Sequence, residues 1–534
     1  MKKTSLLLLS IASGLIFSLS WPMGGFPGLI FFAFIPLFFL EDELANNKDK
    51  YHTWHALFYS YPAFFVWNLL TTWWIYNSSL FGVSMALFFN SLFMSLVFTL
   101  YHWTTKRAAL TYGRYLILPL LWISFEYLHM RWDLTWSWLN IGHVFEAYPR
   151  WIQWYEYTGI FGGALWVFGV NILLYVAISR YIQKRELSRQ IWMPVICGAL
   201  LFFIPLITSY VLYFNYKEKL APINVVVVQP NIDPYQEQYN LPPQEVLARI
   251  FRLARQKVDA HTDFLVAPES AIQEDIWENT PGSSLTMYAL RDSLLKWPRT
   301  AMVLGASTYF RFLNPDQKTE TARWSQNMRY WYDAYNSAMF INSEGRYQLY
   351  HKSKLVVGVE RMPFPKYLKF LEKYALNLGG TIGSLGISEH RTAFDQDKSR
   401  ITTAAAICYE SVYGEFFSGF VRNGAKAMFI ITNDGWWGNT PGHKQHLGFA
   451  SLRAIETRRS IARSANTGIS CFVDQRGEMH QETNYWESAV IKGTLNANDE
   501  ITFYTRFGDY LGRLALGIAG ALLLFVIFLR KVIG

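Results

Sequence analysis

Three residues able to act together on a carbonyl close short apolar stretches in the second half of this 534-residue chain. "FLVAPES" ends near Glu269, "YQLYHKSK" presents Lys352, and "AAAICYES" presents Cys408. A free thiol titrates near about pH 8.5, so a nucleophilic cysteine needs a base or a cation beside it. A carboxylate could take the proton. An ammonium would stabilise both the thiolate and the oxyanion formed on attack. Taken singly, a Glu or Lys after a strand is ordinarily a solvated charge, and a lone Cys is ordinarily a small buried hydrophobe. That plain reading suffices for Cys197, in "WMPVICGALLFFIPL", and for Cys471, in "GISCFV". An odd total of three cysteines also excludes a disulfide framework.

The segment carrying the three residues, 216–508, reads as short strands separated by turns and helices. The clearest strands are "INVVVVQPN" (223–231), "TDFLVAPES" (262–270), "AMVLGAS" (301–307), "NSAMFINSEGR" (336–346), "ITTAAAICYE" (401–410) and "KAMFIITND" (426–434). Between them, "PQEVLARIFRLARQKV" and "HLGFASLRAIETRRSIARSA" place apolar residues at helical spacing. Strands apolar on both faces and alternating with helices imply a layered α/β domain. At roughly 290 residues it is large enough to bury its own core. It has no internal repeat and no glycine loop of the nucleotide-binding kind.

The rest of the chain is greasier. Aromatic residues make up 17% of the whole, with 21 Trp, and mean hydropathy is +0.09. Stretches long enough for a bilayer, which needs about 20 apolar residues, fall at roughly 4–20, 27–40, 56–76, 80–101, 115–130, 158–179, 192–214 and 510–529. The second is short and the fifth carries Glu126. The start, "MKKTSLLLLSIASGLIFSLSW", has the form of a secretory signal, but no small-x-small cleavage site precedes Trp21, so it reads as an uncleaved first helix. Placing the N-terminus in the cytoplasm gathers thirteen Lys and Arg on that side, against Arg131 and Arg150 on the other. The basic excess is therefore a topology signal and not a nucleic-acid footprint. It sets residues 1–215 as seven transmembrane helices, 216–508 as an extracytoplasmic domain, and 509–534 as an eighth helix with a short tail.

Glu269 in "APES", Lys352 in "HKSKLVVGVE" and Cys408 in "CYES" match, in order and context, the Glu-Lys-Cys triad of the nitrilase superfamily. Together with the spans, the chain resembles the apolipoprotein N-acyltransferase family over nearly its whole length. "VVQPNI" (227–232), "YNSA" (335–338) and "TNDGWWGNTPGHKQHLGFASLRAIETRRSIARSANTGIS" (432–470) carry the match further. The family usually has Pro-Phe-Gly before the glutamate of its lysine loop; here "LVVGVE" stands there, with the spacing from Lys352 to Glu360 kept. The tryptophan common after the opening glutamine is replaced by Tyr235 and Tyr239.

The resemblance implies a nitrilase-like αββα sandwich inserted into a helical membrane domain of about eight spans. It implies transfer of an acyl chain from a phospholipid, typically phosphatidylethanolamine, to the N-terminal amine of S-diacylglyceryl-cysteine in apolipoproteins. The carrier is a thioester on the enzyme, and the scheme is ping-pong. Glu269 is then the base, Cys408 the nucleophile, and Lys352 with the backbone N–H of Tyr409 the oxyanion support. No metal or cofactor is implied, the expected state is a monomer, and the expected location is the bacterial inner membrane with the catalytic domain on the periplasmic face. Glu360 and Glu410 orient Lys352, or gate entry, or are solvated strand-end acids. Trp436 and Trp437 form either a membrane-dipping tip or a core pair, and Tyr239 is a further lipid-facing candidate. Glu126 pairs with Arg131 or His129, or sits protonated between helices.

Two other readings fit parts of the pattern. A membrane-tethered amidase would use the same triad with water as acceptor. A transporter with an outer domain would need ionisable residues in its spans, and beyond Glu126 these are nearly absent.

Overall fold

The computed structural model describes residues 2–108, 113–364, 384–395 and 401–533. The chain forms two compact units, Met1–Asn215 with Phe507–Gly534, and Tyr216–Arg506.

The first unit is helical. Among the described residues five helices are long and apolar enough to cross a membrane: Lys3–Ser20, Leu80–Ala108, Tyr155–Lys184, Arg189–Asn215 and Tyr510–Ile533. The other three expected stretches differ. Residues 27–40 break into a 3₁₀ turn, Pro27–Phe32, and the helix Ile35–Asn46, each with proline in its first turn. Trp54–Thr72 runs on into a 3₁₀ turn, Trp73–Asn77. Ile117–His129 has 13 residues, about 20 Å of helix and short of a 30 Å hydrocarbon core. On Arg189–Asn215 the side chains of Ile196, Leu200, Phe203, Ile207 and Phe214 lie half or more exposed. Such a face is stable in lipid and a liability in water.

Inside this unit some buried acids find specific partners. Glu41, one residue past the expected 27–40 stretch, is fully buried and meets His102 Nδ1 at 2.8 Å. Glu126 has neither expected partner. Its Oε1 accepts from Trp122 Nε1 at 3.0 Å and from the backbone N–H of Ile141 at 2.8 Å. Arg131 instead pairs with Asp509 at 3.0 Å, and His129 Nδ1 accepts from Trp132 Nε1. A short 3₁₀ turn, Ile141–Phe145, delivers a backbone donor that charge pairing in the sequence does not reveal.

The second unit is a two-sheet sandwich. One sheet has the order β13-β1-β2-β4-β6-β5, with β3 paired to β4 and β7 to β6; the other has the order β12-β11-β10-β9-β8. The first sheet contains β1 (Pro222–Gln229), β2 (Phe264–Val266), β3 (Ile272–Trp277), β4 (Ala301–Phe312), β5 (Arg323–Ser325), β6 (Tyr330–Ile341), β7 (Tyr347–His351) and β13 (Ala489–Asn496). The second contains β8 (Thr403–Ile407), β9 (Ala427–Thr432), β10 (Ile461–Ala465), β11 (Cys471–Val473) and β12 (Met479–His480). The strands β1, β2 and β4 run parallel, as do β8, β9 and β10. The facing layers touch at Phe264 and Phe429, and Ser464 Oγ donates to the Val228 carbonyl. Helix Pro243–Ala254 covers the outer face of the first sheet: Val246, Leu247 and Ile250 share a core with Val226, Leu265 and Met302. Helices Gly414–Arg422 and Pro441–Thr457 flank the second. The expected αββα layering is present.

One expected helix is shorter than its periodicity suggested. It stops at Thr457, because Arg458 turns left-handed (φ 49°) and Ile461–Ala465 then pairs with β9 as a strand.

Candidate active site

β8 is buried at every position and delivers Cys408 at its end, where the chain enters a 3₁₀ turn, Cys408–Val412. Cys408 has φ 50°, a left-handed conformation that costs a non-glycine residue of order 1–3 kcal/mol. Its carbonyl accepts from Ser411 Oγ at 2.8 Å and faces His446 Nε2 at 3.1 Å. The side chain is 8% exposed. Burial pushes the thiol up and the Glu269 charge adds to this, while Lys352 opposes both.

Glu269 comes from the other sheet, three residues past β2. Gly305 on β4 lets it in: a Cβ there would lie 2.4 Å from Ser270 N and 2.5 Å from Glu269 Cα. Lys352 follows β7, and its backbone N–H donates to the Asn336 carbonyl on β6. Lys352 Nζ donates to Glu269 Oε1 and to Glu360 Oε1, each at 2.9 Å. Asn336 Nδ2 donates to the same two oxygens, at 2.8 and 3.0 Å. Burial alone would pull Lys352 down, but Glu269 and Glu360 outweigh it and hold the ammonium well above the usual lysine range. Glu360 is fixed by its own loop, since its Oε2 accepts from the Val356 N–H at 2.8 Å. That loop turns at Gly358 (φ 79°), within the sequence that replaces the family's Pro-Phe-Gly.

Glu410 is no solvated acid. It is fully buried, and its carboxylate joins the Cys408 turn to the lysine loop. Oε2 accepts from Ile407 N at 2.8 Å, while Oε1 accepts from Ser353 N and from Tyr350 Oη, each at 2.6 Å. Burial pushes its carboxyl up to about 7 despite these donors.

Two family profiles match the chain. Residues 13–173 match the N-terminal domain of apolipoprotein N-acyltransferase, and residues 224–503 match carbon-nitrogen hydrolase. The chain belongs to the carbon-nitrogen hydrolase family. It is 29% identical to the apolipoprotein N-acyltransferase of Chlorobaculum tepidum over 97% of this chain and 95% of that one. It is 26% identical to the apolipoprotein N-acyltransferase of Geobacter metallireducens over 94% and 91%. Among solved structures, Saccharomyces cerevisiae Nit3, a member of branch 10 of the nitrilase superfamily, aligns with TM-score 0.36 and 18% identity over 52% of this chain and 90% of that one.

The structure thus brings Glu269, Lys352, Glu360 and Cys408 to one place, with Glu410 bracing two of their loops. Tyr409 is buried in the Cys408 turn, its ring edge-on to Tyr413. Trp436 and Trp437 are neither a free tip nor a core pair but half-buried. Tyr235 Oη donates to the Trp436 carbonyl at 2.7 Å, and the Trp437 ring stands edge-on to His446. Tyr239 is 37% exposed, and burial together with the charges of Glu269 and Glu360 pushes its hydroxyl up.

The sequence reading left five contributors without a role. Asn336 lies in "YNSA", and Asn433, Asp434, His446 and Arg463 lie in the 432–470 block. Asn433 N donates to Glu269 Oε2 at 3.2 Å. Asp434 meets His446 Nδ1 at 2.9 Å and Arg463 Nη2 at 2.5 Å, all three fully buried. Burial would raise Asp434, but Arg463 and His446 outweigh it and hold the carboxyl far below the usual range. Cys408, Asp434 and His446 each bring one donor atom within 4.8 Å of the others, a grouping able to hold a metal ion. The Arg463 guanidinium already occupies the carboxylate edge, and Lys352 is a second fixed cation acting on the thiol.

Proposed function

We propose that this protein transfers an acyl chain from a phospholipid, typically phosphatidylethanolamine, to the N-terminal amine of S-diacylglyceryl-cysteine in apolipoproteins. The observation that carries the reading is a buried thiol on a left-handed backbone facing a Glu-Lys pair, in a chain whose residues 13–173 match the N-terminal domain of apolipoprotein N-acyltransferase.

Glu269 takes the thiol proton as Cys408 Sγ bonds to the ester carbonyl carbon. Two of the three Lys352 N–H groups are taken by carboxylates, which leaves one for the new oxyanion, beside the backbone N–H of Tyr409. Collapse breaks the ester C–O bond, and the lysophospholipid oxygen takes the proton from Glu269. The lipopeptide amine then attacks the thioester and gives its proton to Glu269. The C–S bond breaks, and the thiolate recovers that proton. The protein works as a monomer in the inner membrane, and residues 216–508 face the periplasm.

The test is direct. Phospholipid alone should leave an acyl chain on wild-type protein, released by neutral hydroxylamine and mapped to a Cys408 peptide. Cys408→Ala should abolish it, while Cys197→Ala and Cys471→Ala keep it. Adding a diacylglyceryl peptide should move the chain to the peptide amine; free fatty acid instead would identify a hydrolase. For orientation, a cysteine at the exposed Lys318 should react with an impermeant label from the periplasmic side, and reaction only after the inner membrane is broken would reverse the topology.

A further inference from the structure

We infer that His446, held by Asp434, is a positioning residue that keeps Cys408 in its left-handed conformation and so aims its thiol at Glu269 and Lys352. The inference rests on the reading of Cys408 as nucleophile. An L-residue at φ 50° relaxes by rotating its peptide groups, and that rotation swings its carbonyl. The Cys408 carbonyl is held by an adjoining pair, Ser411 Oγ at 2.8 Å and His446 Nε2 at 3.1 Å, and these two atoms are themselves 3.1 Å apart, so the serine and the ring act on the carbonyl as one unit. A carbonyl oxygen only accepts, so the ring serves it with an N–H at Nε2.

The ring itself has no freedom. Asp434 Oδ1 lies 2.9 Å from Nδ1, and Arg463 Nη2 lies 3.1 Å from the same nitrogen. Asp434 is in turn held by Arg463 and by Thr432 Oγ1 at 2.8 Å. The anchor sits on the helix Pro441–Thr457, just past the end of β9 and in the middle of β10, all outside the Glu269 and Lys352 loops.

Wild type, His446→Leu, His446→Gln and Ser411→Ala should be compared for the rate of acyl-enzyme formation from phospholipid and for kcat and KM with a diacylglyceryl peptide. His446→Leu should slow acylation at least tenfold with peptide KM within twofold. His446→Gln, whose amide can still donate to the carbonyl, should return to within threefold of wild type. A role in folding alone would lower yield without such rescue. Folded His446→Leu that acylates within twofold of wild type overturns the inference, as does a Gln variant no faster than Leu. If the Leu variant does not fold, Ser411→Ala decides: loss of the second donor should slow acylation three- to tenfold, and an unchanged rate overturns the inference. Absence of any adduct on wild type would instead overturn the acyl-enzyme reading itself.

Discussion

Asn336 Nδ2 stands 2.8 Å from Glu269 Oε1, the oxygen that also accepts from Lys352. The amide therefore fixes the Glu269 carboxylate independently of the ammonium, and it ties that carboxylate to Glu360 through a second bond at 3.0 Å. A hydrogen bond to a charged group contributes about 1.5–3 kcal/mol, or roughly ten- to a hundredfold in rate if it is lost where the proton moves. Asn336→Ala should lower kcat by that range and change KM for either substrate by less than about threefold. Steady-state kinetics with labelled phospholipid would read the split.

Glu360→Gln should keep the fold and lose most activity. The carboxylate balances a buried ammonium, and an amide can accept from Lys352 without neutralising it. A drop of at least about tenfold in acyl-enzyme formation is expected. Activity within twofold of wild type at normal expression would make Glu360 a bystander.

Gly305→Ala should damage the site from behind. The added methyl would press on the backbone of Glu269 and Ser270, which cannot swing aside as a flexible side chain can. Overpacking of this kind costs about 1–3 kcal/mol. Both a lower melting temperature and a slower acylation step are expected, measured on the same purified sample.

Glu410 predicts a pH dependence. Its carboxyl is raised from 4.5 to about 7 in the folded protein, chiefly by burial. Between those values the folded state binds more protons than the unfolded one, so stability falls as pH rises and the loss is complete above the folded value. The span corresponds to about 3 kcal/mol. Melting temperature should therefore drop from about pH 5 to about pH 8 in wild type, and Glu410→Gln should flatten the change.

The triad and most of its strands were legible because each is an apolar run that ends at one reactive residue. The polar framework was not. Asn336 reaches Glu269 across strands that pair only in the folded sheet, and Glu126 is satisfied by an indole and a backbone N–H, which no charge pattern marks. The helix expected through Ala465 kept its periodicity past Thr457, and only the left-handed turn at Arg458 ended it. The membrane helices were legible where apolar runs were long. They were overcounted in length where Pro27 and Pro36 break the run or where the helix is only 13 residues long.

Glu269 and Lys352 stand on one sheet and Cys408 on the other. A growing chain has therefore made Glu269 and Lys352 well before Cys408, and β8, β9 and β10 must all be built before the thiol is held in place. Until the two layers close, the cysteine is an ordinary, unaimed thiol. The domain is thus inert toward lipid until its second sheet docks, and chemical competence becomes a late event in its maturation.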